Sequence, residues 1–528
     1  MRPKAPWPGS RANGRPRPGP CWARPFCAAL GYCAAEAAFR QALVLAPDSA
    51  EASLGLGYAL FNQNRIKAAE SVFFELAERP DAPAAVWRAL AAARLNLKEA
   101  GGAGAALEKA LALDPSDAES HALKGLLAYR SCEADRRWRD WTRQNLVDPQ
   151  ARPDLISPIF DSDRLAAALR SITAARQIGS RVRTDELGAR LLTASGRPEA
   201  ALDFLAASPA PDARTWQLMA DVCWLLRDES AARLYLRRSL EARCEEVADL
   251  RGLGEENTRI AEVAAGQARH RHNPPSATSL VWVHWDAPAH FAQSIASALA
   301  ASPASPLAVI GDSTNAFDPC HHMPMTRRAA SAWEFLERYR HRSENDYVYE
   351  AFCLMRWFLL KDWAEVEGAE RLLTLDSDVL LFADVETELV PRLGGHDFAF
   401  TGVQGPHLAL LTQAGLRDLC GFFMHSYEKG IPEIAGQVTD MTLLPRFLAG
   451  RPFADLSAIK DGARVDMNIR LAEGFRMAGG VKEIRFEAGR AYATSEASGE
   501  AVRLLALHFQ GTAKDRMAKA LQRQDVTA

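Results

Sequence analysis

Apolar positions are spaced in two different ways along this chain, and the change falls near residue 279. Before it, small and large apolar residues recur four apart: Ala35 with Phe39, Ala69 with Phe73, and Ala103 with Leu107, successive pairs lying 34 residues apart. Residues four apart share one helix face, and a small Ala lets a neighbouring helix approach there. The segments "LAPDSAEA" at Leu45 and "LDPSDAES" at Leu113 are 68 residues apart, as are Gly57 and Gly125. Proline at such turns fixes the start of the next helix. A weaker second set appears at Ala200 with Phe204 and Ala231 with Tyr235, and the period is lost between Trp138 and Arg190. After residue 279 the apolar runs shorten. "SLVWVHW", "PLAVIGDS", "RLLTLDSDVLLF" and "DFAFTGV" read as strands, separated by helical stretches such as "DAPAHFAQSIASALAAS" and "YEAFCLMRWFLLKDW". Alternation of this kind predicts an α/β unit with a mostly parallel sheet.

The expected organisation is therefore a basic Pro-rich tail over 1–33, helical repeats over 34–268 interrupted near 138–190, a linker over 269–278, and an α/β unit over 279–528. The tail holds seven prolines by Pro25 and six Lys or Arg, with no acid before Glu36, too little apolar surface to fold alone. Composition adds little beyond this. A formal net charge of -3 gives no reason to expect nucleic acid. Nine scattered cysteines without a Cys-x2-Cys pair argue against a disulfide framework and for a reducing, cytoplasmic setting. No apolar run approaches the roughly 18 residues that span a bilayer, so membrane contact is expected to be peripheral at most.

Candidate chemistry sits where an apolar strand meets acids. In "RLLTLDSDVLLF", Asp376 and Asp378 flank one serine. Buried carboxylates are costly unless paired or metal-bound, and hard oxygen ligands suit Mg2+ or Mn2+, which bridge phosphate oxygens. The alternative is a turn whose Asp side chains cap backbone groups. Ligands of open α/β sheets gather at strand carboxyl ends, where Asp312 and Asp376 are both expected. His321 and His322 are expected in a loop without a chemical role.

The repeat with its 34-residue period resembles the tetratricopeptide repeat. "LLTLDSDVLLF" resembles the metal-binding motif of GT-A fold nucleotide-sugar glycosyltransferases. "RLLALHFQGTAKDRM", with His508, Gly511 and Lys514 in His-x2-Gly-x2-Lys spacing, is similar to the C-terminal motif of the glycogenin and lipopolysaccharide galactosyltransferase group. Where that group continues Lys-Pro-Trp, this chain has Lys514-Asp515-Arg516. The resemblance implies a GT-A unit that moves a sugar, with retention, from a nucleotide-sugar (a UDP-sugar first) to a glycan, lipid-linked or protein acceptor. It implies Mn2+ or Mg2+ held by Asp376, Asp378 and His508, and a donor diphosphate met by Arg356, Gly511 and Lys514. The repeats would then dock a protein partner or the acceptor. Arg356 has two other readings, a solvated helix residue or a partner for Glu350. Asp440 and Asp466, each ahead of an expected helix, are good N-cap residues, or else contact donor or acceptor sugar in a catalytic role, as Gln404 would. Two other readings of the whole chain stand beside this: a repeat scaffold with an inactive α/β unit, and a nucleotidyltransferase.

Overall fold

The structure, a computed structural model, describes residues 26–63, 65–131, 162–180, 184–245, 277–317, 320–428, 436–523 and 526. Most of the expected tail and of the expected linker lies outside the described residues. The first helix, α1 (Phe26–Leu45), begins inside the stretch expected to be tail.

Helices then follow in pairs: α2 (Ala50–Asn62) and α3 (Ile66–Ala77), α4 (Ala84–Asn96) and α5 (Ala100–Leu113), α6 (Ala118–Ser131) and α7 (Ser162–Ile178), α8 (Thr184–Ala194) and α9 (Pro198–Ala206), α10 (Ala213–Leu225) and α11 (Glu229–Glu245). Local signals start them. Ser49 accepts from the Ala52 amide at 3.2 Å, Asp212 from the Thr215 amide at 2.8 Å, and Pro198 opens α9. Each cap satisfies an amide that the first turn would leave orphaned. The glycines explain the period. A Cβ at Gly57 would stand 2.2 Å from the Phe73 ring, and one at Gly188 would stand 2.3 Å from the Phe204 ring. In both pairs the partners are 16 residues apart. Gly125 meets Ile172 in the same way, 47 residues on. The lost period is therefore an insertion between the two helices of one repeat, not an end of the array.

This makes a sign prediction. Gly57→Ala is expected to destabilise by about 1–3 kcal/mol, because the added methyl overpacks against Phe73. Gly101→Ala, in α5 with nothing within 4 Å of the added Cβ, is expected to stabilise by about 0.5–1 kcal/mol through helix propensity. Urea melts of the two variants check it; equal signs would show that the repeats are not packed this closely.

The C-terminal unit is built on a seven-stranded sheet ordered β3-β2-β1-β4-β7-β6-β8. Here β1 is Thr278–His284, β2 Leu307–Gly311, β3 His321–Pro324 and β4 Arg371–Leu375, neighbours running parallel. Beyond β4 the sheet is mixed. β7 (Leu408–Thr412) is antiparallel to both β4 and β6 (Phe398–Phe400), while β8 (Ala454–Asp455) is parallel to β6. The expected mostly parallel order thus holds for four of the six neighbouring strand pairs, and β7 is the strand that breaks it. His321 and His322 lie in β3 rather than a loop, and the His322 ring bonds the Asp312 carbonyl at 2.9 Å.

Alternating side chains of β1 reach opposite cores. Leu280 and Trp282 pack with Phe291 and Ile295 of α12 (Ala289–Ala301). Val281 faces the layer of α13 (Ala330–Arg338), α14 (Tyr347–Glu367), α15 (Gln413–Glu428) and α16 (Asp440–Leu448). That second core does not stop at the α/β unit. Cys223 and Trp224 of α10 and Leu236 and Leu240 of α11 belong to it. The Trp224 ring meets His341 edge-on at 4.5 Å, and the Val348 amide at the start of α14 donates to buried Asp221 at 3.2 Å. Each such Leu contributes about 1.5–3 kcal/mol by burial, so the last repeat and the sheet unit stabilise one another.

The strand after the acids leaves the large sheet. β5 (Val379–Leu381) pairs antiparallel with β15 (Ala506–His508), Val379 opposite His508. Smaller strands brace this end: β9 (Ala463–Arg464), the β10 (Met477–Ala478) and β11 (Val481–Lys482) hairpin, and β12 (Ile484–Glu487), β13 (Arg490–Thr494) and β14 (Ala501–Leu504). Among the described residues no helix is long and apolar enough to cross a membrane.

Candidate functional site

The turn between β4 and β5 carries Asp376, Ser377 and Asp378 at the carboxyl end of β4. The strand resumes because its second half belongs to another pair, so the acids occupy the seam between two sheets. The Asp376 amide donates to the His407 carbonyl at 2.8 Å, and the Phe509 amide to the Asp378 carbonyl at 2.9 Å. Both neighbours of the turn are thereby fixed.

The two acids face different partners. Asp376 accepts from Arg356 Nη1 at 2.5 Å, and Nη2 of the same guanidinium donates to Asp440 at 2.7 Å. Trp357 Nε1 adds a 3.4 Å contact to Asp440. Arg356 is thus neither a solvated residue nor the partner of Glu350, which instead accepts from Ser343 and Asn345. Asp378 meets Lys514 Nζ at 3.1 Å and His508 Nε2 at 3.5 Å. Burial alone would raise Asp378, but His508 and Lys514 hold its carboxyl well below the usual carboxylate range. Burial raises Asp376 in spite of Arg356. Burial also opposes a charged His508, and the facing Asp378 outweighs it and moves the imidazole up.

Two corrections concern the acids expected as caps. Thr439, not Asp440, caps α16, in a reciprocal capping box with Thr442. That frees the Asp440 carboxylate, the first helical residue, for Arg356. Asp466 heads no helix. Its side chain is fully buried against Lys482, which also meets Glu473 and donates to the Asn468 carbonyl at 3.1 Å. Asp466 therefore lies beneath the site: the His508 amide approaches it at 3.4 Å. Gln404 is exposed in the β6–β7 turn, and among the described residues no hydrogen bond ties it to the acids. Gly511 takes φ +66, a left-handed backbone that glycine adopts freely, at the start of the short helical segment carrying Lys514. Asp312 is buried in turn geometry, accepting from the Asp286 amide at 2.8 Å and the Thr314 amide at 2.9 Å.

Sequence reasoning missed His407, His290 and Lys482. The His407 ring stacks on His508 at 4.0 Å and 14°, and burial keeps it neutral, well below its ordinary value. His290 reaches Ser377 at 3.3 Å, and burial with nearby Lys514 pushes it down to about 4. Each is a lone residue without motif spacing, so only the fold brings it in.

A divalent cation would find part of the expected donor set in place. Among the described residues, no three His, Cys, Asp or Glu side chains converge as a metal site, because Arg356 turns Asp376 aside. Asp378 and His508 nevertheless fit. His508 Nδ1 donates to the Met467 carbonyl at 2.7 Å, so Nε2, which faces Asp378, is the nitrogen that would bind a metal on losing its proton. At 3.5 Å apart, the Asp378 carboxylate and the His508 imidazole would together hold such an ion.

No protein-family model and no curated protein sequence matches the chain. Solved structures that it resembles include tetratricopeptide repeat proteins. In the Cut9–Hcn1 APC/C hetero-tetramer the likeness is 15% identity over 41% of this chain and 38% of that one, TM-score 0.30. In a thermophilic TPR protein of Thermus thermophilus it is 17% identity over 38% and 93%, TM-score 0.26. In a tetratricopeptide repeat protein of Parabacteroides merdae it is 15% over 41% and 88%, TM-score 0.23. The chain spans well under half of the first of these. A TPR-like helical region followed by a mixed-sheet unit is the architecture, and the paired helices with their glycine–aromatic contacts carry that statement.

Proposed function

We propose that the α/β unit is a metal-dependent glycosyltransferase of the GT-A kind, transferring a sugar from a nucleotide-sugar, a UDP-sugar first, to an acceptor hydroxyl, with the TPR-like helices as a partner- or acceptor-docking scaffold. One observation carries this reading. Residues 136 positions apart, Asp378 and Lys514, meet with His508 around a single carboxylate at the carboxyl end of β4. Packing gives no reason to gather them there. Asp378 and His508 would hold Mn2+ or Mg2+, which when bound supplies charge neutralisation to a departing diphosphate. Lys514, a third exposed, reaches toward that diphosphate as a point charge. The Arg356 guanidinium holds Asp376 and Asp440 side by side, and Asp440 is then available to position sugar hydroxyls.

A second reading, a repeat scaffold with an inactive α/β unit, is favoured by the Arg356 clamp, which withholds Asp376 from the metal. Titration calorimetry with UDP, with and without Mn2+, separates the two. Binding that requires Mn2+, and that Asp378→Asn abolishes, is expected for the enzyme. Sugar-nucleotide turnover should fall about 100-fold or more in that variant. Lys514→Ala is expected to cost roughly 1.5–3 kcal/mol in UDP affinity while leaving Mn2+ affinity alone. Wild-type protein that binds no UDP with Mn2+ would leave the scaffold.

A further inference from the structure

The last repeat helix reaches the turns that follow β1 and β2. Arg243, near the end of α11, carries a side chain only 10% exposed and extends to the turn that follows β1. Its Nη1 donates to Asp286 Oδ1 at 3.0 Å, its Nη2 to Gln217 of α10 at 3.2 Å, and its guanidinium lies 5.0 Å over the Trp285 ring. Its own carbonyl accepts from the Ser313 amide, after β2, at 3.1 Å.

The turn that it holds is a strained one. Asp286 has φ +62, a left-handed conformation that few non-glycine residues adopt. Fixed partners over-determine it. The Asp286 amide donates to Asp312 at 2.8 Å, Asn315 Nδ2 donates to the His284 carbonyl at 2.6 Å, and Trp285 packs on Phe352 of α14 at 4.1 Å. Strain held in place in this way is a mark of functional turns.

The position matters more than the strain. The strand order runs β1 to β2 to β3 on one side and continues from β4 on the other, so the switch point lies between β1 and β4. A ligand of an open α/β sheet enters the crevice at that point. Asp376 and Asp378 form its β4 wall, and the turn His284–Trp285–Asp286 forms its β1 wall. His290 in α12, the helix that follows the β1 turn, reaches Ser377 on the β4 wall at 3.3 Å. With a diphosphate at Lys514, the far side is filled by the Arg356–Asp440 clamp. The β1 turn, where His284, Trp285 and Asp286 are only half-buried, is the wall left for a nucleoside.

We propose that Arg243 is a positioning residue for the nucleoside: the last repeat helix shapes the β1 turn, so the repeat array forms part of the donor pocket. This rests on the nucleotide-binding reading above. The test uses the full chain and two probes, UDP and inorganic pyrophosphate, each titrated with Mn2+. Arg243→Met keeps bulk over Trp285 and removes the fork to Asp286 and Gln217. It is expected to weaken UDP about tenfold and to leave pyrophosphate within twofold. Arg243→Lys, which keeps the charge, is expected to recover part of the UDP loss, and it stands in if the Met variant does not fold. A merely structural role would weaken both probes alike, and that result overturns the proposal, as would unchanged UDP affinity in both variants or wild-type protein that binds UDP no more tightly than pyrophosphate. Wild-type protein that binds neither probe removes the nucleotide reading itself, a different outcome from any of these.

Discussion

Arg356→Met is expected to lower stability by about 3–5 kcal/mol in the absence of metal, the loss typical when one partner of a buried charge network is removed. Asp440 is 7% exposed at its side chain, and it would be left beside Asp376 with no cation between them. The same change should release Asp376 toward Asp378 and His508. Mn2+ is then expected to bind the variant more tightly than wild type, by about tenfold, and to restore part of the melting temperature. On the proposed function, sugar transfer should nonetheless fall, because Asp440 loses the partner that orients it. Thermal melts with and without Mn2+ measure both effects. A variant that is as stable as wild type without metal would show that the clamp is not needed to hold the two acids together.

Lys482→Met should damage the fold as much. Lys482 and Asp466 are both 0% exposed, and Glu473 shares the ammonium. Removing the cation leaves a carboxylate without water or counter-charge, again about 3–5 kcal/mol. The double variant Lys482→Met with Asp466→Asn is expected to regain much of the loss, since neutralising both partners removes the orphaned charge. The functional consequence runs through the backbone. Asp466 accepts from the His508 amide, and its carbonyl accepts from His407 at 3.2 Å, so the histidine stack rests on this ion pair. Denaturant melts of the single and double variants check it; additive losses would show that the two residues act independently.

The parts that could be read from sequence are the local ones. Asp376, Asp378 and His508 stand at strand ends that their apolar flanks already mark, and Lys514 follows His508 at a short fixed spacing. The repeats were legible because Gly57 and Phe73 obey one period, and that period failed where chain is inserted between α6 and α7. What sequence could not show is long-range. Asp466 looked like a helix cap because Asp before an apolar run is a common N-cap pattern, yet its partner Lys482 comes from a distant hairpin. Asp440 was displaced from the cap by Thr439, one residue earlier, whose hydroxyl serves the same amide. The clamp on Asp376 needs Arg356 and Asp440 at once, 84 residues apart, and no spacing rule connects them.

The core that α10 and α11 share with α14 also bears on how such a protein can be inherited. Modules that meet through a solvated linker can be exchanged between genes, since neither loses buried surface on separation. Here a cut between the repeats and the sheet would bare Trp224, Leu236 and Leu240 on one side and the outer face of α14 on the other. Recombination at that point would yield two sticky fragments. Relatives of the α/β unit that lack the repeats are therefore expected to carry polar residues on the outer face of α14, or other helices in place of α10 and α11.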